Sequence, residues 1–137
     1  MTGTIRLRTI KKAVRQLLKE TGRKIDFVSL ERYAESKGYK VIFFNTPAGD
    51  REVERYNLWE DTRITNAFVY KSTGRIIFIN NECASDEKVC LLCHEIGHLA
   101  LKHIDYKRLS TVNKVLIDIE TDVFAYLLLN ARRTKER

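Results

Sequence analysis

The chain of 137 residues is 44% hydrophobic and 31% charged, with a formal net charge of +7. These values predict one globular domain and exclude a disordered chain, and no apolar run approaches the roughly 18 residues that a membrane span needs. The start of the chain lacks an apolar signal segment, and the three cysteines show no disulfide-framework spacing. We therefore expect a reduced, cytoplasmic protein without a membrane partner.

The positive charge is concentrated at the two ends of the chain. Residues 1–24 contain eight Lys/Arg and one Glu, residues 132–137 contain four Lys/Arg and one Glu, and the segment between them is nearly neutral. Such ends could attract DNA or an acidic partner, but a solvated amphipathic helix and a charged tail explain them at least as well. Nucleic-acid binding is thus possible but not favoured, and it stays open whether the first helix contacts a partner or DNA.

The first half of the chain predicts two helices, a strand and a loop. Apolar periodicity indicates a helix over residues 9–21, and Asp26 can cap a second helix that ends at Gly38. Residues 39–44 have the composition of a short strand. Residues 45–62, which contain the single proline and many charges, predict an irregular loop.

The second half predicts a hairpin followed by two helices. Ile64–Tyr70 and Arg75–Asn80 are strand-like runs joined by a Gly-containing turn. Ser85 can cap a helix to about residue 103, and Ser110 can cap a last helix to about residue 131. The order predicts an α+β fold with helices packed on one face of a small antiparallel sheet.

The domain organisation follows from the same pattern. We expect one domain over residues 1–137. It comprises a basic amphipathic N-terminal helix within residues 1–25, a core over residues 26–131, and a basic tail over residues 132–137.

The segment His94-Glu95-Ile96-Gly97-His98 has the pattern H-E-x-x-H. Residues four apart on an α-helix lie on one face, so His94 and His98 can offer two imidazoles to one tetrahedral metal ion. Glu95 lies about 100° round the helix, beside the ion. A general base in that place can take a proton from water. Because the flanking residues are apolar, a zinc site explains the pattern better than a polar surface helix does.

A catalytic zinc normally has three protein ligands, and Glu120 is the strongest candidate for the third. It lies within the apolar stripe of the last helix, where an unpaired carboxylate would be costly to bury. The alternative is a carboxylate at the edge of the stripe that reaches solvent. Asp118 and Asp122 lie on the more polar side. Asp122, like the helix-end residue His103, is expected at most to hydrogen-bond a ligand.

Two segments resemble the short zinc metallopeptidases of the ImmA/IrrE group. One is the strand-like run ending in Asn80, followed after a short gap by His94-Glu95-Ile96-Gly97-His98-Leu99. The other, Glu120-Thr121-Asp122-Val123-Phe124-Ala125, is similar to the family's E-A-N/D-x-F-A segment, which places its ligand glutamate on Glu120. The resemblance covers roughly residues 26–129. The Leu-Met-Pro ending that often follows in the family is replaced here by Leu127-Leu128-Leu129-Asn130-Ala131.

The resemblance implies a zincin-like domain with H-E-x-x-H on the active-site helix and one Zn²⁺ ion. It also implies a site-specific endopeptidase whose substrate is a helix-turn-helix transcriptional repressor or a similar regulator, linked to a phage or another mobile element. Because the residues before Asp26 leave no room for a helix-turn-helix domain, we expect the repressor to be a separate chain.

A non-proteolytic function remains the alternative. A zinc-containing anti-repressor or toxin could act by binding its helix-turn-helix partner without cutting it. Glu95 favours the enzyme, since a structural zinc does not need a general base. The sequence leaves open the substrate and the cleaved bond, the trigger, the oligomeric state and the residue that stabilises the oxyanion.

Overall fold

The computed structural model describes residues 5–102 and 111–135. By its internal contacts the chain divides into Asp26–Glu95 and a second unit that combines Met1–Ile25 with Ile96–Arg137. The α+β fold class is confirmed. The predicted single domain over residues 1–137 stays a prediction. His103, the proposed cap Ser110, and residues 136 and 137 of the tail lie outside the described residues.

The unit Asp26–Glu95 contains a three-stranded sheet and its helices. Its elements are α2 (Phe27–Ser36), β1 (Lys40–Phe44), α3 (Pro47–Arg55), α4 (Trp59–Ile64), β2 (Ala67–Tyr70), β3 (Ile76–Asn80) and the first part of α5 (Ser85–Ala100). The predicted cap of α2 is confirmed, because the Asp26 side chain accepts a hydrogen bond from the backbone N–H of Ser29.

The sheet is mixed, whereas the sequence predicted an antiparallel one. The strand order is β1-β3-β2, with β2 antiparallel to β3 and β1 parallel to β3. Antiparallel pairing of β2 and β3 follows from their short hairpin. The long segment between β1 and β3 allows the crossover that parallel strands require. The central strand β3 is buried from Ile76 to Ile79.

Aromatic and aliphatic side chains fill the space beside the sheet. Phe78 on β3 stacks on Phe68 of β2, with 5.0 Å between the ring centroids. The core on this side consists of Phe44, Val53, Leu58, Ile76 and Phe78. Two residues of this set, Val53 and Leu58, come from the stretch that was expected to be a loop.

The loop prediction for residues 45–62 is wrong, because most of this segment forms α3 and α4. Thr46 caps α3 by accepting a hydrogen bond from the Gly49 N–H at 3.0 Å, and Pro47 occupies the first turn. Proline is favoured there because a backbone N–H in the first turn has no acceptor within the helix, so its absence costs no hydrogen bond. Pro47 therefore marks the start of a helix rather than a loop, and the charged residues that follow belong largely to α3 and α4.

Hydrogen bonds between asparagine side chains link residues at one end of each of the three strands, near the start of α5. The Asn45 amide donates to Asn80 Oδ1 at 2.8 Å, and the Asn80 amide donates to Asn66 Oδ1 at 3.1 Å. Asn80 Oδ1 also accepts from the backbone N–H of Glu82 at 2.9 Å. These bonds fix the direction in which the chain leaves β3 toward the H-E-x-x-H helix.

The other unit is helical, and α1 packs against α6. It contains α1 (Leu7–Glu20), the end of α5 and α6 (Thr111–Lys135). The predicted apolar stripe of α1 is buried, namely Ile10, Val14, Leu17 and Leu18. Its basic side chains are exposed on the opposite face, namely Arg8, Lys11, Lys12, Arg15 and Lys19. Within the described ranges, no helix has both the length and the hydrophobicity of a transmembrane span.

The start of α3 can be tested through Gly49. A Cβ atom at this position would lie 1.7 Å from the carbonyl oxygen of Phe43. We expect Gly49→Ala to lower the free energy of unfolding by about 3 kcal/mol, the upper end of typical overpacking costs. Urea unfolding followed by circular dichroism measures this change. Gly74→Ala is the matched control, since its Cβ would meet its nearest neighbour at 3.5 Å. Equal effects of the two substitutions would contradict the steric argument.

Candidate metal centre

The helix α5 presents the H-E-x-x-H segment within a largely buried stretch. Asp86 and Glu87 lie in its first turn, where negative charge is favoured by the helix dipole. Leu92, Cys93 and Ile96 are fully buried, whereas the two histidines are partly exposed. The prediction that His94 and His98 lie one turn apart on one helix is confirmed.

Glu95 is buried, with 6% of its surface exposed. A carboxylate that is shielded from bulk water has few competing water partners, which suits a group that accepts a proton from one positioned water. Its role as general base stays a prediction.

Three side chains of the described residues lie close enough together to bind one metal ion. His94, His98 and Asp118 each offer one ligand atom, and these atoms lie within 4.8 Å of one another. Two imidazoles and a carboxylate are a donor set that zinc accepts, and three protein ligands leave the fourth position of a tetrahedral ion for water. The residues present therefore fit a zinc ion. Asp118 was predicted to lie on the more polar side of α6 and was not predicted to be a metal ligand.

The position of Asp118 follows from the helical repeat of α6. Asp118 and Thr121 are three residues apart and share one face of the helix. Thr121 is fully buried, and its Oγ1 lies 3.4 Å from His98 Nδ1. Glu120 follows Asp118 by two residues, which turns it by about 200°. The two carboxylates therefore point in different directions from α6.

Gly97 permits a close approach of the end of α5 to α6. A Cβ atom at this position would lie 2.9 Å from the Thr121 Cγ2 methyl and 3.1 Å from Phe124 Cδ1. Thr121 and Phe124 are both fully buried, so neither side chain has free space to move away. The small residue beside His98 is thus a packing requirement of this contact.

Glu120 is buried and accepts three hydrogen bonds from Arg6. The Arg6 backbone N–H and Nε each donate to Oε2 at 2.9 Å, and Nη2 donates to Oε1 at 2.7 Å. The Glu120 carboxylate raises the pKa of the Arg6 guanidinium above its usual value, through the hydrogen bond and the opposite charge. The expectation that this carboxylate must be paired or metal-bound is met by the arginine, and its assignment as a ligand stays a prediction.

Asp122 and His103 were the two residues predicted to hydrogen-bond a metal ligand. Asp122 is exposed on α6. Its predicted hydrogen bond to a ligand stays a prediction, as does that of His103, which lies outside the described residues. Thr121 and Arg6 were not among the site residues predicted from the sequence. Arg6 stands among many basic residues near the N-terminus, so nothing in the sequence alone singled it out.

A family model described as Peptidase_M78, IrrE N-terminal-like domain, matches residues 34–136. The chain belongs to this family. The match covers three quarters of the chain. It includes the H-E-x-x-H helix and residues 120–125 of α6, the second segment that carries the resemblance. No curated protein and no solved structure matched the chain in the same comparisons.

Membership confirms the resemblance that the two sequence segments had indicated. The family is one of zinc metallopeptidases, and a peptidase acts on a protein substrate. The candidate metal centre of this chain agrees with zinc-dependent peptide hydrolysis. Its three donors are nitrogen and oxygen atoms, which zinc binds well.

The Arg6–Glu120 pair can be tested by removing the arginine side chain. In Arg6→Ala the buried carboxylate keeps the backbone N–H but loses the guanidinium. Because Arg6 is 40% exposed, solvent screens part of the interaction. We expect the free energy of unfolding to fall by about 1–2 kcal/mol, measured by urea denaturation. Arg8→Ala, which removes an exposed arginine of α1, should change it by less than about 0.5 kcal/mol. Equal losses would show that the ion pair does not stabilise the fold.

Proposed function

We propose that the chain is a cytoplasmic, site-specific zinc endopeptidase that cleaves a helix-turn-helix transcriptional repressor or a similar regulator and is linked to a phage or another mobile element. The observation that carries the peptidase assignment is the group of three ligand atoms within 4.8 Å, together with the buried carboxylate of Glu95 on the same helix as the two histidines. A structural zinc would need the ligands but not the glutamate. The cytoplasmic location is supported by the odd number of cysteines, three, which show no disulfide-framework spacing.

One zinc ion in this site would supply Lewis acidity toward the peptide carbonyl and the attacking water. The Glu95 carboxylate accepts a proton from that water as the oxygen attacks the carbonyl carbon. It then delivers the proton to the leaving amine nitrogen when the C–N bond breaks. One carboxylate thus serves as base and as acid, and the reaction consumes one water per bond.

The sheet offers a place for an extended substrate segment. In the strand order β1-β3-β2, the strand β2 lies at one edge. An extended peptide can add to such an edge through main-chain hydrogen bonds, while side-chain contacts select its sequence. The opposite edge strand, β1, is contacted by α2 and α3. We therefore propose β2 as the strand that receives the substrate.

The repressor as substrate is supported by the resemblance to the ImmA/IrrE group. The exposed basic face of α1 supports a docking contribution, because charge complementarity accelerates the encounter with an acidic surface.

The third zinc ligand is proposed to be a carboxylate of α6, and two substitutions decide which one. Asp118→Asn and Glu120→Gln each remove one negative charge from the same helix with little change of shape. If Asp118 is the ligand, as its position within the group of three favours, Asp118→Asn should weaken zinc binding by more than the roughly 100-fold that loss of an outer partner costs. Competition with a chromophoric chelator measures the affinity.

Glu120→Gln should then mainly reduce stability, because it weakens the contact with Arg6. The reverse result, a large loss of zinc affinity in Glu120→Gln and a small one in Asp118→Asn, would establish the glutamate as the ligand. Loss of zinc binding in neither variant would refute a carboxylate of α6 as the third donor.

Glu95→Gln tests the peptidase itself. This variant should keep zinc and bind substrate but lose the base, so it can be used to capture the partner from source cells. The captured protein is then incubated with the wild type, and its fragments are identified by mass spectrometry. We expect one defined cut, made about 10²–10⁴-fold more slowly by Glu95→Gln. Glu87→Gln, an exposed glutamate in the first turn of the same helix, is the matched control and should cleave normally.

A partner that is bound equally by wild type and Glu95→Gln and stays intact would contradict the enzyme. That result would instead support a zinc-containing regulator that acts by binding its partner.

A further inference from the structure

We infer that Thr121 is a positioning residue for the zinc ligand His98: its hydroxyl holds the imidazole as the Nδ1–H tautomer and so reserves Nε2 for the metal. This inference rests on the proposed zinc site and extends it to a residue that does not touch the ion.

The direction of the hydrogen bonds at Thr121 follows from proton counting. Thr121 Oγ1 donates to the carbonyl oxygen of Ile117, one helical turn earlier, at 2.7 Å. A hydroxyl has one proton to donate, and toward any other polar neighbour it is an acceptor. Toward His98 Nδ1, at 3.4 Å, it can therefore only accept. The ring nitrogen that faces Thr121 must carry the hydrogen.

A neutral imidazole has one N–H and one nitrogen with a lone pair. If Nδ1 carries the hydrogen, the lone pair is on Nε2, and this is the form that can bind a metal through Nε2. In metal sites the second nitrogen of a ligating histidine is usually oriented by such an outer partner. Here that partner is a threonine hydroxyl on α6.

The Thr121 side chain is held in the orientation that this function needs. Threonine is β-branched and has few accessible χ1 rotamers. Its Cγ2 methyl lies against the position where Gly97 lacks a Cβ, while its hydroxyl is directed to Ile117 and His98. The residue is fully buried, so water does not compete for the hydroxyl. Because both groups are attached to the same Cβ atom, the packing of the methyl against Gly97 sets the direction of the hydroxyl.

The test compares Thr121→Val, which keeps the shape but removes the hydroxyl, with Thr121→Ser, which keeps the hydroxyl. Thr62→Val is the matched control, because the Thr62 hydroxyl also donates to a backbone carbonyl of its own helix, that of Trp59 at 2.7 Å. Thermal unfolding by circular dichroism checks that all variants are folded. The first measurement is the ¹⁵N chemical shifts of the His98 ring in the metal-free protein at a pH where the ring is neutral.

We expect the wild type and Thr121→Ser to show the Nδ1–H tautomer and Thr121→Val to show a mixture of both tautomers. The second measurement is zinc affinity by chelator competition. Thr121→Val should bind zinc about 10–100-fold more weakly, the usual effect of removing an outer partner. Thr121→Ser should restore most of the affinity, and Thr62→Val should leave both measurements unchanged.

Unchanged tautomer and affinity in Thr121→Val would overturn the inference. An equal loss of affinity in Thr121→Ser and Thr121→Val would also overturn it, because it would assign the effect to the methyl and packing. A wild type that does not bind zinc would instead refute the proposed function, and the tautomer measurement would still decide whether Thr121 controls the ring.

Discussion

The close approach of α5 to α6 at Gly97 is the constraint on which the candidate metal centre depends. Helices usually pack 8–10 Å apart, at a distance set by the side chains between them. At Gly97 the side chain is a hydrogen, so Thr121 and Phe124 pack directly against the backbone of α5. This contact lies one residue from His98. The distance from that histidine to the polar residues of α6 is therefore set by packing of buried apolar groups, which resist displacement more than surface contacts do.

Successive residues of α6 serve different neighbours because of the helical repeat. Asp118 belongs to the candidate ligand group, Glu120 accepts hydrogen bonds from Arg6, and Thr121 contacts His98. A buried carboxylate needs partners, and at Glu120 the positive charge comes from the N-terminal segment. Acidic residues spaced two apart on one helix thus satisfy two separate electrostatic requirements without competing for one partner.

The sequence allowed the placement of His94 and His98 one turn apart on one helix to be predicted, because a four-residue spacing on a helix is a local property. It did not allow the choice between the carboxylates of α6. Apolar neighbours indicated that Glu120 is buried, which is correct, but burial does not reveal whether the partner is a metal ion or a distant arginine. That distinction depends on which helix packs against which face, and such non-local packing has no signature in the periodicity of one segment.

The fold shows the same division between local and non-local information. The hairpin, the capped helix α2 and the amphipathic helix α1 follow from local patterns and were predicted. The parallel pairing of β1 with β3 was not, because strand direction depends on a crossover rather than on residues within either strand. The helices α3 and α4 were missed because proline and charged residues occur both in loops and in the first turn of helices.

The hydrogen bonds between Arg6 and Glu120 join residues 114 positions apart in the chain. During synthesis, the histidines of α5 leave the ribosome well before α6, so a chain that ends before residue 120 contains the H-E-x-x-H segment but not the partner of Arg6. Closing so long a loop is entropically costly and is repaid only when α1 and α6 pack together. The Arg6–Glu120 pair therefore cannot form in a chain that lacks α6, although such a chain still contains both histidines of α5.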